Sequence, residues 1–291
     1  MTRLIGSLAE VAGGYDALYV DLWGCLHDGR SAFPAAVAAL RAFRAGGGRV
    51  VLLTNSPRPA PAVTRQLDRL GVPRDAWDVL ASSGDAAQAA LAAGAVGRRI
   101  WHLGPATDGS FFTDAADDIP GLDAIERVEF ADAEGIVCTG LFDDAAETPE
   151  DYRVRLMLAK QRGLPLLCAN PDIVVDFGDR RVFCAGALAA LYTDLGGRSL
   201  YFGKPHPPIY DLAARRLERA AGGAVEGARI LAIGDGVATD IAGAAGEGID
   251  ALFVTGGLAA AELGPAPGGA AIAAWLARHG AAPRYAIHRL G

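Results

Sequence analysis

Cysteine is scarce in this sequence, which also lacks a long apolar run and a basic N-terminal segment. The four cysteines among 291 residues form no Cys-x-x-Cys pair, so we expect neither a zinc site nor a disulfide framework. Charge-free stretches such as Gly264–Ala277 are shorter than the ~20 apolar residues of a membrane span. Because no secretory signal is evident, we expect a soluble protein of the reducing cytoplasm.

Lysine is nearly absent too, and the charge balance is acidic. Only Lys160 and Lys204 are lysines among 27 basic residues. A lysine kept where arginine is the usual basic residue mildly indicates a position that uses a compact charge, although its presence by chance is the alternative. The net charge of −7 and the pI near 5.3 argue against a nucleic-acid binder. With 51% hydrophobic and 21% charged residues, most of the chain is expected to fold, as one large domain or as a core with an insert.

The first and last thirds of the chain alternate strand and helix patterns, as βαβ units do. The predicted strands are Ala17–Val20, Arg49–Leu53, Val79–Ala81, Arg229–Ile233 and Ala251–Val254. The predicted helices are Phe33–Ala45, Pro59–Leu70, Asp85–Ala93 with Ser83 as its N-cap, Tyr210–Ala221 and Ala271–Arg278. Strands and helices at this spacing indicate a doubly wound parallel sheet.

The middle of the chain has a different character. It contains predicted strands at Arg98–Leu103, Ile136–Thr139 and Pro165–Ala169, a predicted helix at Pro149–Gln161, and an acidic loop from Asp114 to Asp118. This pattern indicates a second, smaller α/β unit. We therefore predict an α/β fold with a core formed by residues 1–97 and 199–291 and an inserted α/β domain at 98–198.

Polar residues follow four predicted core strands at their carboxyl ends, where open parallel sheets bind ligands. They are Asp21, Thr54 with Asn55, Asp235 and Thr255. Two carboxylates at neighbouring strand ends can converge on Mg²⁺, which accepts one or two carboxylates together with water and phosphate oxygens. Taken singly, each aspartate is better explained as a helix cap or a turn residue, and Asn55 as a cap, so the hypothesis depends on their joint arrangement.

Two further residues fit the same chemistry. Asp240 follows Asp235 by five residues, at the predicted start of a helix, where it could orient a ligand or hold a metal through water. Lys204 lies in the rigid segment Gly203-Lys204-Pro205-His206-Pro207 and could neutralise a phosphate together with a nucleophilic carboxylate. A solvated loop lysine is the alternative.

In combination, these residues resemble the haloacid dehalogenase (HAD) superfamily, and within it the class IIA phosphatases. Four segments in order carry the resemblance: Asp21-Leu22-Trp23-Gly24-Cys25-Leu26-His27-Asp28-Gly29, Leu52-Leu53-Thr54-Asn55-Ser56, Gly203-Lys204-Pro205, and Ile233-Gly234-Asp235-Gly236-Val237-Ala238-Thr239-Asp240-Ile241. Each motif alone is weak, and their order and their positions at strand ends make the set specific.

The resemblance implies a Rossmannoid core, a type-2 cap inserted between the second and third motifs, and Mg²⁺-dependent phosphoryl transfer. Asp21 matches the nucleophile that forms an aspartyl-phosphate, and Lys204 matches the lysine that steadies the charge. Thr54 and Asn55 match the phosphate-binding positions. Magnesium is then expected to be held by Asp21, Asp235, Asp240 and the backbone carbonyl of Trp23. Trp23 is also expected to be one of the substrate-binding residues.

Trp23 departs from the pattern, because phosphatases of this superfamily carry a second aspartate there as the general acid/base. An indole can neither protonate a leaving oxygen nor activate water, and losing such a group typically costs roughly 10²–10⁴-fold in rate. A class IIA-like subgroup shares Asp-x-Trp-Gly in this motif. His27 or Asp28 could substitute as the acid, although a turn built on Asp28-Gly29 is the more ordinary interpretation.

Three functions therefore stay open at this stage. The first is a Mg²⁺-dependent hydrolase of a small, sugar-phosphate-like monoester with an altered acid step. The second is a catalytically impaired protein that binds a phosphorylated ligand, and the third is a phosphotransferase to an acceptor other than water. No partner among nucleic acids or membranes is expected, and the resemblance is compatible with a homodimer formed through the cap.

Overall fold

The computed structural model describes residues 2–177 and 180–291, an α/β protein with fourteen strands in the part described. The strands are β1 (Arg3–Leu4), β2 (Ala17–Val20), β3 (Arg49–Thr54), β4 (Val79–Ser82), β5 (Arg99–Leu103), β6 (Glu126–Arg127), β7 (Gly135–Cys138), β8 (Leu166–Cys168), β9 (Val174–Phe177), β10 (Arg180–Phe183), β11 (Ser199–Tyr201), β12 (Ile230–Gly234), β13 (Asp250–Val254) and β14 (Tyr285–Ile287). Six of them, β2, β4, β7, β8, β12 and β14, are buried along their whole length, as expected of strands in a covered parallel sheet.

Eleven α-helices connect these strands within the described residues. They are α1 (Ala9–Ala12), α2 (Pro34–Ala45), α3 (Ala60–Arg69), α4 (Ser83–Ala92), α5 (Ser110–Thr113), α6 (Arg153–Gln161), α7 (Ala185–Asp194), α8 (Pro207–Ala221), α9 (Ala242–Gly246), α10 (Ala260–Leu263) and α11 (Gly269–Arg278). None of the helices so described is long and apolar enough to cross a membrane.

The chain divides into two compact units. The first contains Met1–Thr54, Arg65–Ala81 and Tyr210–Gly291, and the second contains Asn55–Thr64 and Ser82–Ile209. The first unit is built on a seven-stranded sheet with the order β1-β14-β13-β12-β2-β3-β4. The pairings from β1 through β3 are all parallel. The order of the strands reverses between β12 and β2. Two chain segments that lie far apart in sequence are therefore neighbours at this point of the sheet.

The second unit is built on a five-stranded sheet with the order β11-β8-β7-β5-β6, again with parallel pairings. Alternate strand residues face opposite sides. Ile136 and Leu166 contribute to a core shared with residues of α6 and α7, whereas Val137 and Leu167 pack with residues of α4 and with Phe111. Packing on both faces explains why the central strands β7 and β8 are apolar and buried along their whole length. A separate antiparallel pair is formed by β9 and β10.

The predicted α/β class and parallel-sheet core are confirmed, and the predicted core strands match the observed ones to within one residue at each end. The N-cap prediction for α4 was wrong. Ser82 is the cap, since its hydroxyl accepts a bond from the Asp85 backbone N–H at 3.0 Å and Asp85 bonds back to Ser82. The predicted helix at Pro149–Gln161 begins as a 3₁₀ turn over Pro149–Tyr152. The division at 97/98 and 198/199 stays a prediction.

Helix α6 exposes an apolar strip. Val154, Met157 and Leu158 lie at helical spacing and are 72%, 46% and 48% exposed. The opposite side of the same helix contributes Leu156 and Ala159 to the core of the second unit. The homodimer formed through the cap stays a prediction. The three residues of this strip are the first to substitute in testing it.

His102 generates a pH prediction for stability. Its Nε2 lies 2.9 Å from Thr139 Oγ1, and burial, with a smaller contribution from Arg127, lowers the pKa of its imidazole from 6.5 to about 4. Between pH 6.5 and pH 4, His102 is protonated in the unfolded chain and neutral in the folded chain. The free energy of unfolding therefore decreases as the pH falls through this range. In His102→Gln this decrease should be shallower by up to about 1.4 kcal/mol per pH unit.

Urea unfolding from pH 4 to pH 8 measures this difference. The free energies of unfolding of the wild type and His102→Gln should change in parallel above pH 7, because there His102 is neutral in both the folded and the unfolded chain. Curves that also run parallel between pH 4 and pH 6 would contradict the assignment.

Candidate active site

Two aspartates leave neighbouring parallel strands at the same level of the first unit. Asp21 directly follows β2 and Asp235 directly follows β12, and these strands pair with Val20 opposite Ile233. The Asp21 backbone N–H donates to the Ile233 carbonyl at 2.9 Å, which continues the ladder by one residue. Both side chains are buried, with 8% and 5% exposure. The fold thus brings together two carboxylates that are more than two hundred residues apart in sequence.

Cys25 joins these carboxylates. One ligand atom each from Asp21, Asp235 and Cys25 lie within 4.8 Å of one another, and all three residues are buried. The turn after β2 explains the position of the thiol, since the Leu26 N–H donates to the Leu22 carbonyl at 2.8 Å and folds the chain back by one turn. Sequence analysis assigned no role to Cys25. Its spacing of four residues from Asp21, immediately after a strand, is the signal that could have indicated it.

Glycine is required on both sides of the Asp235 carboxylate. A Cβ at Gly24 or at Gly257 would collide with Oδ2 of Asp235, and Gly24 also has a φ of 76°, where side chains are strained. The Leu258 backbone N–H donates to the same Oδ2 at 2.8 Å. These contacts hold the carboxylate beside Asp21. The donor set, which contains two buried carboxylates, fits a hard divalent cation such as Mg²⁺.

Asp240 lies outside the three-atom cluster. It is buried, and its Oδ2 accepts the Gly236 backbone N–H at 3.0 Å. A Cβ at Gly234 would collide with the Asp240 carboxyl group, so glycine is required there as well. Asp240 thereby fixes the turn that carries Asp235. Its predicted part in metal binding stays a prediction.

The Trp23 side chain is half-buried over the loop that follows it. Its ring meets the His27 ring edge-on at a centroid distance of 5.4 Å, and a Cβ at Gly29 would lie 2.5 Å from its Cη2. Burial lowers the pKa of His27 from 6.5 to about 4, and its Nδ1 accepts the Gly29 N–H at 3.1 Å. Neutral His27 is therefore a weak proton donor near pH 7.

Asp28 belongs to the turn predicted as the ordinary interpretation. Its exposed carboxylate accepts the backbone N–H groups of Arg30 and Ser31, each at 2.8 Å. These bonds, with Ser31 contributing most, lower the pKa of Asp28, so it is deprotonated at neutral pH. Within the loop formed by residues 23–31, neither His27 nor Asp28 thus has the properties of an acid that would replace the missing aspartate.

In the second unit, Asn55 and Lys204 are bound to each other through the Lys204 backbone. Asn55 Oδ1 accepts the Lys204 N–H at 2.7 Å, and Asn55 Nδ2 donates to the Lys204 carbonyl at 3.0 Å. The same Nδ2 donates to Asp172 Oδ1 at 2.8 Å, which uses both of its hydrogens. The amide therefore clamps the lysine segment. Thr54, the last residue of β3, is buried in the first unit.

Gly203 allows this clamp to form. A Cβ there would lie 2.5 Å from Asn55 Oδ1 and 2.6 Å from both Pro171 and Ser83 Oγ, closer than real side chains approach. Asn170 Oδ1 accepts the Asp172 N–H at 3.0 Å, which closes a turn over Asn170-Pro171-Asp172. Asp172, however, also contacts Asn55, a contact that the sequence did not predict.

Glycerol phosphate phosphatase of Mycobacterium tuberculosis resembles this chain both in sequence and in structure. A D-glycerol 3-phosphate phosphatase of Mycobacterium tuberculosis is 29% identical over 259 residues, covering 86% of this chain, which spans 66% of the length of that protein. A crystal structure of a glycerol phosphate phosphatase from the same organism, in complex with calcium, matches with a TM-score of 0.62 and 25% identity, over 85% of this chain and 68% of that one.

Two family models match the chain. A haloacid dehalogenase-like hydrolase model matches residues 18–116, and a second HAD-hydrolase-like model matches residues 201–279. A crystal structure of a haloacid dehalogenase-like hydrolase from Brucella suis 1330 is 43% identical, with a TM-score of 0.86, and covers 99% of this chain and 100% of its own. Identity at this level over both full lengths, together with the two models, places the chain in the haloacid dehalogenase-like hydrolase family.

Proposed function

We propose that the chain is a Mg²⁺-dependent hydrolase of a small, sugar-phosphate-like monoester, acting in the cytoplasm through an aspartyl-phosphate on Asp21. The observation that carries the proposal is the buried pair of carboxylates, Asp21 and Asp235, at the ends of adjacent strands. Family membership supports the choice of phosphoryl transfer. The M. tuberculosis relative is a D-glycerol 3-phosphate phosphatase, which makes a short polyol phosphate the substrate class to test first.

In this proposal an oxygen of the Asp21 carboxylate attacks phosphorus, and the bond from phosphorus to the ester oxygen breaks. The leaving oxygen takes its proton from solvent, since Trp23 has none to give. Water then attacks the aspartyl-phosphate, the bond to Asp21 breaks, and inorganic phosphate leaves. Bound Mg²⁺, held by Asp21, Asp235, Asp240 and the Trp23 carbonyl, would offset negative charge on the phosphoryl oxygens. From the family resemblance, we propose that Lys204 and Thr54 bind the phosphoryl group.

Hydrolysis of p-nitrophenyl phosphate tests the proposal, because this leaving group needs no proton. We expect turnover with Mg²⁺ that disappears with a chelator and falls by at least about 10³-fold in Asp21→Asn, where the nucleophile is lost. Asp132→Asn, an exposed site in the second unit, is the matched control and should keep wild-type rates. Release of inorganic phosphate at equal rates in wild type and Asp21→Asn would refute the mechanism.

Trp23→Asp should restore the missing proton transfer. Turnover of D-glycerol 3-phosphate, whose alkoxide leaving group needs a proton, is expected to rise by about 10²–10⁴-fold, and the gain for the aryl ester should be smaller. Trp23→Asn is the matched control, since it removes the same ring without supplying an acid. Steady-state kinetics on both esters measure the difference. An equal gain in Trp23→Asn would show that removal of the bulky ring, and not proton transfer, raises the rate.

Asn55 is proposed to act as a positioning residue through Lys204, because its amide is engaged by the lysine backbone and by Asp172. Asn55→Ala should lower kcat/KM by about 10²-fold, the usual cost of misplacing a group by about 1 Å. In a Lys204→Met background the same change should have little further effect. Multiplicative losses in the double variant would instead indicate a separate contact of Asn55 with phosphate.

A phosphorylated-ligand binder is the second candidate, and the loop around Trp23 favours it. Trp23 provides no acid, His27 is neutral, and Asp28 is deprotonated and bonded to the backbone. The binder is distinguished by a thermal shift with Mg²⁺ and glycerol 3-phosphate in the absence of any phosphate release from the aryl ester. The retained Asp21 and Asp235 pair is the reason for placing hydrolysis first.

A further inference from the structure

Cys25 is a member of the buried cluster to which the proposed hydrolysis gives no role. We infer that Asp21, Asp235 and the Cys25 sulfur together bind thiophilic divalent cations such as Zn²⁺ and Cd²⁺, and that these ions displace Mg²⁺ from the centre. The inference rests on the proposed function for the identity of the resident ion. It concerns a different property, which is the choice between hard and soft metals.

The geometry suits a mixed oxygen and sulfur site. Zinc binds carboxylate oxygen at about 2.0–2.2 Å and thiolate sulfur at about 2.3 Å, so two ligands of one tetrahedral ion lie about 3.3–3.8 Å apart. The three ligand atoms here already lie within 4.8 Å of one another. Closing the remaining gap needs only small side-chain adjustments around the ion. A tetrahedral ion held by these three atoms would take water as its fourth ligand.

The chemistry of the ligands separates the two kinds of metal. Magnesium takes oxygen ligands and keeps several waters, so it gains nothing from a neighbouring thiol. Soft ions prefer thiolate, and divalent zinc also exceeds manganese in affinity for most protein ligands. When Zn²⁺ or Cd²⁺ binds, a metal–sulfur bond forms and the thiol proton passes to the buffer. Cys25 therefore adds affinity for soft ions only.

The backbone fixes the sulfur in this position. The Gly24 N–H donates to the His27 carbonyl at 2.9 Å, and the Leu26 N–H donates to Leu22, so Cys25 lies within a closed turn. Cys25 itself is 1% exposed. A bound soft ion would occupy the Asp21 carboxylate that is proposed to attack phosphorus. Zinc and cadmium are thus expected to inhibit by competition with Mg²⁺.

The remaining cysteines provide the control. Cys138 and Cys168 are register partners on the neighbouring strands β7 and β8 of the second unit, and both are buried. A soft ion could bind thiols here too, and Cys184 interacts with the same Cys168 thiol. Cys168 Sγ already lies 3.3 Å from the Asn170 carbonyl. Cys168→Ser removes that alternative while leaving Cys25 in place.

Titration of the metal-free full chain with Cd²⁺, followed by the ultraviolet absorption of the cadmium–thiolate bond, tests the inference. Wild type and Cys168→Ser should each bind one ion, with this absorption and release of a proton. Cys25→Ser should lose the absorption and bind Cd²⁺ more than about 100-fold more weakly, beyond the usual cost of losing a group that only supports a ligand. Cys25→Ala serves as a second variant, and circular dichroism checks that each one folds.

Absorption that persists in both Cys25 variants, that disappears in Cys168→Ser, or that never arises in wild type would overturn the inference. Hydrolysis of p-nitrophenyl phosphate with Mg²⁺ alone is measured on the same samples. Absence of that activity together with a Cys25-dependent cadmium signal would defeat the proposed function and leave the soft-metal site standing. Hydrolytic activity without the cadmium signal would support the proposed function and defeat the soft-metal inference.

Discussion

Burial of two like charges at adjacent strand ends is the constraint around which the first unit is organised. Asp21 and Asp235 lie within 4.8 Å of each other and have little exposure to solvent. Two carboxylates so placed repel each other and lose hydration, and neither cost is offset by their mutual contact. A cation between them reverses the sign of that interaction. The glycines at 24 and 257 and the Leu258 N–H serve this arrangement, because they hold the Asp235 carboxylate where bulkier residues would expel it.

Five strands of the first unit, namely β2, β3, β4, β12 and β13, could be predicted because their physical signal is local. A strand such as Arg49–Thr54 is buried on both faces and therefore appears as a short apolar run, and the polar residue after it marks the carboxyl end. Helix α7 (Ala185–Asp194) was missed for the opposite reason. Nearly all of its residues are buried, so it has no polar face and its sequence lacks helical periodicity. The Cys25 contact had only its spacing from Asp21 as a sequence signal, because the turn that forms the contact is closed by backbone bonds.

The Asn55 contacts show a related limit of the sequence. The motif position indicated a polar residue near phosphate, and the structure uses its amide to bind the backbone of a residue 149 positions away. A sequence pattern specifies which donors and acceptors are available, whereas their partners are fixed only when strands β8 and β11 lie side by side. The same holds for Gly203, whose missing side chain has meaning only beside Asn55, Pro171 and Ser83.

Position 23 explains how the family fold persists while its acid is absent. The loop after β2 is closed by backbone bonds from Gly24 to His27, Leu26 to Leu22, and Phe33 to Leu26, none of which involves the side chain at 23. The conformation that presents Asp21 therefore tolerates aspartate or tryptophan at that position, and the indole packs on the His27 ring and the Gly29 backbone. Because the scaffold does not depend on the acid, the fold alone cannot specify the rate of hydrolysis. In the proposed reaction, that rate depends on whether a proton can reach the leaving oxygen, which is a property of one side chain.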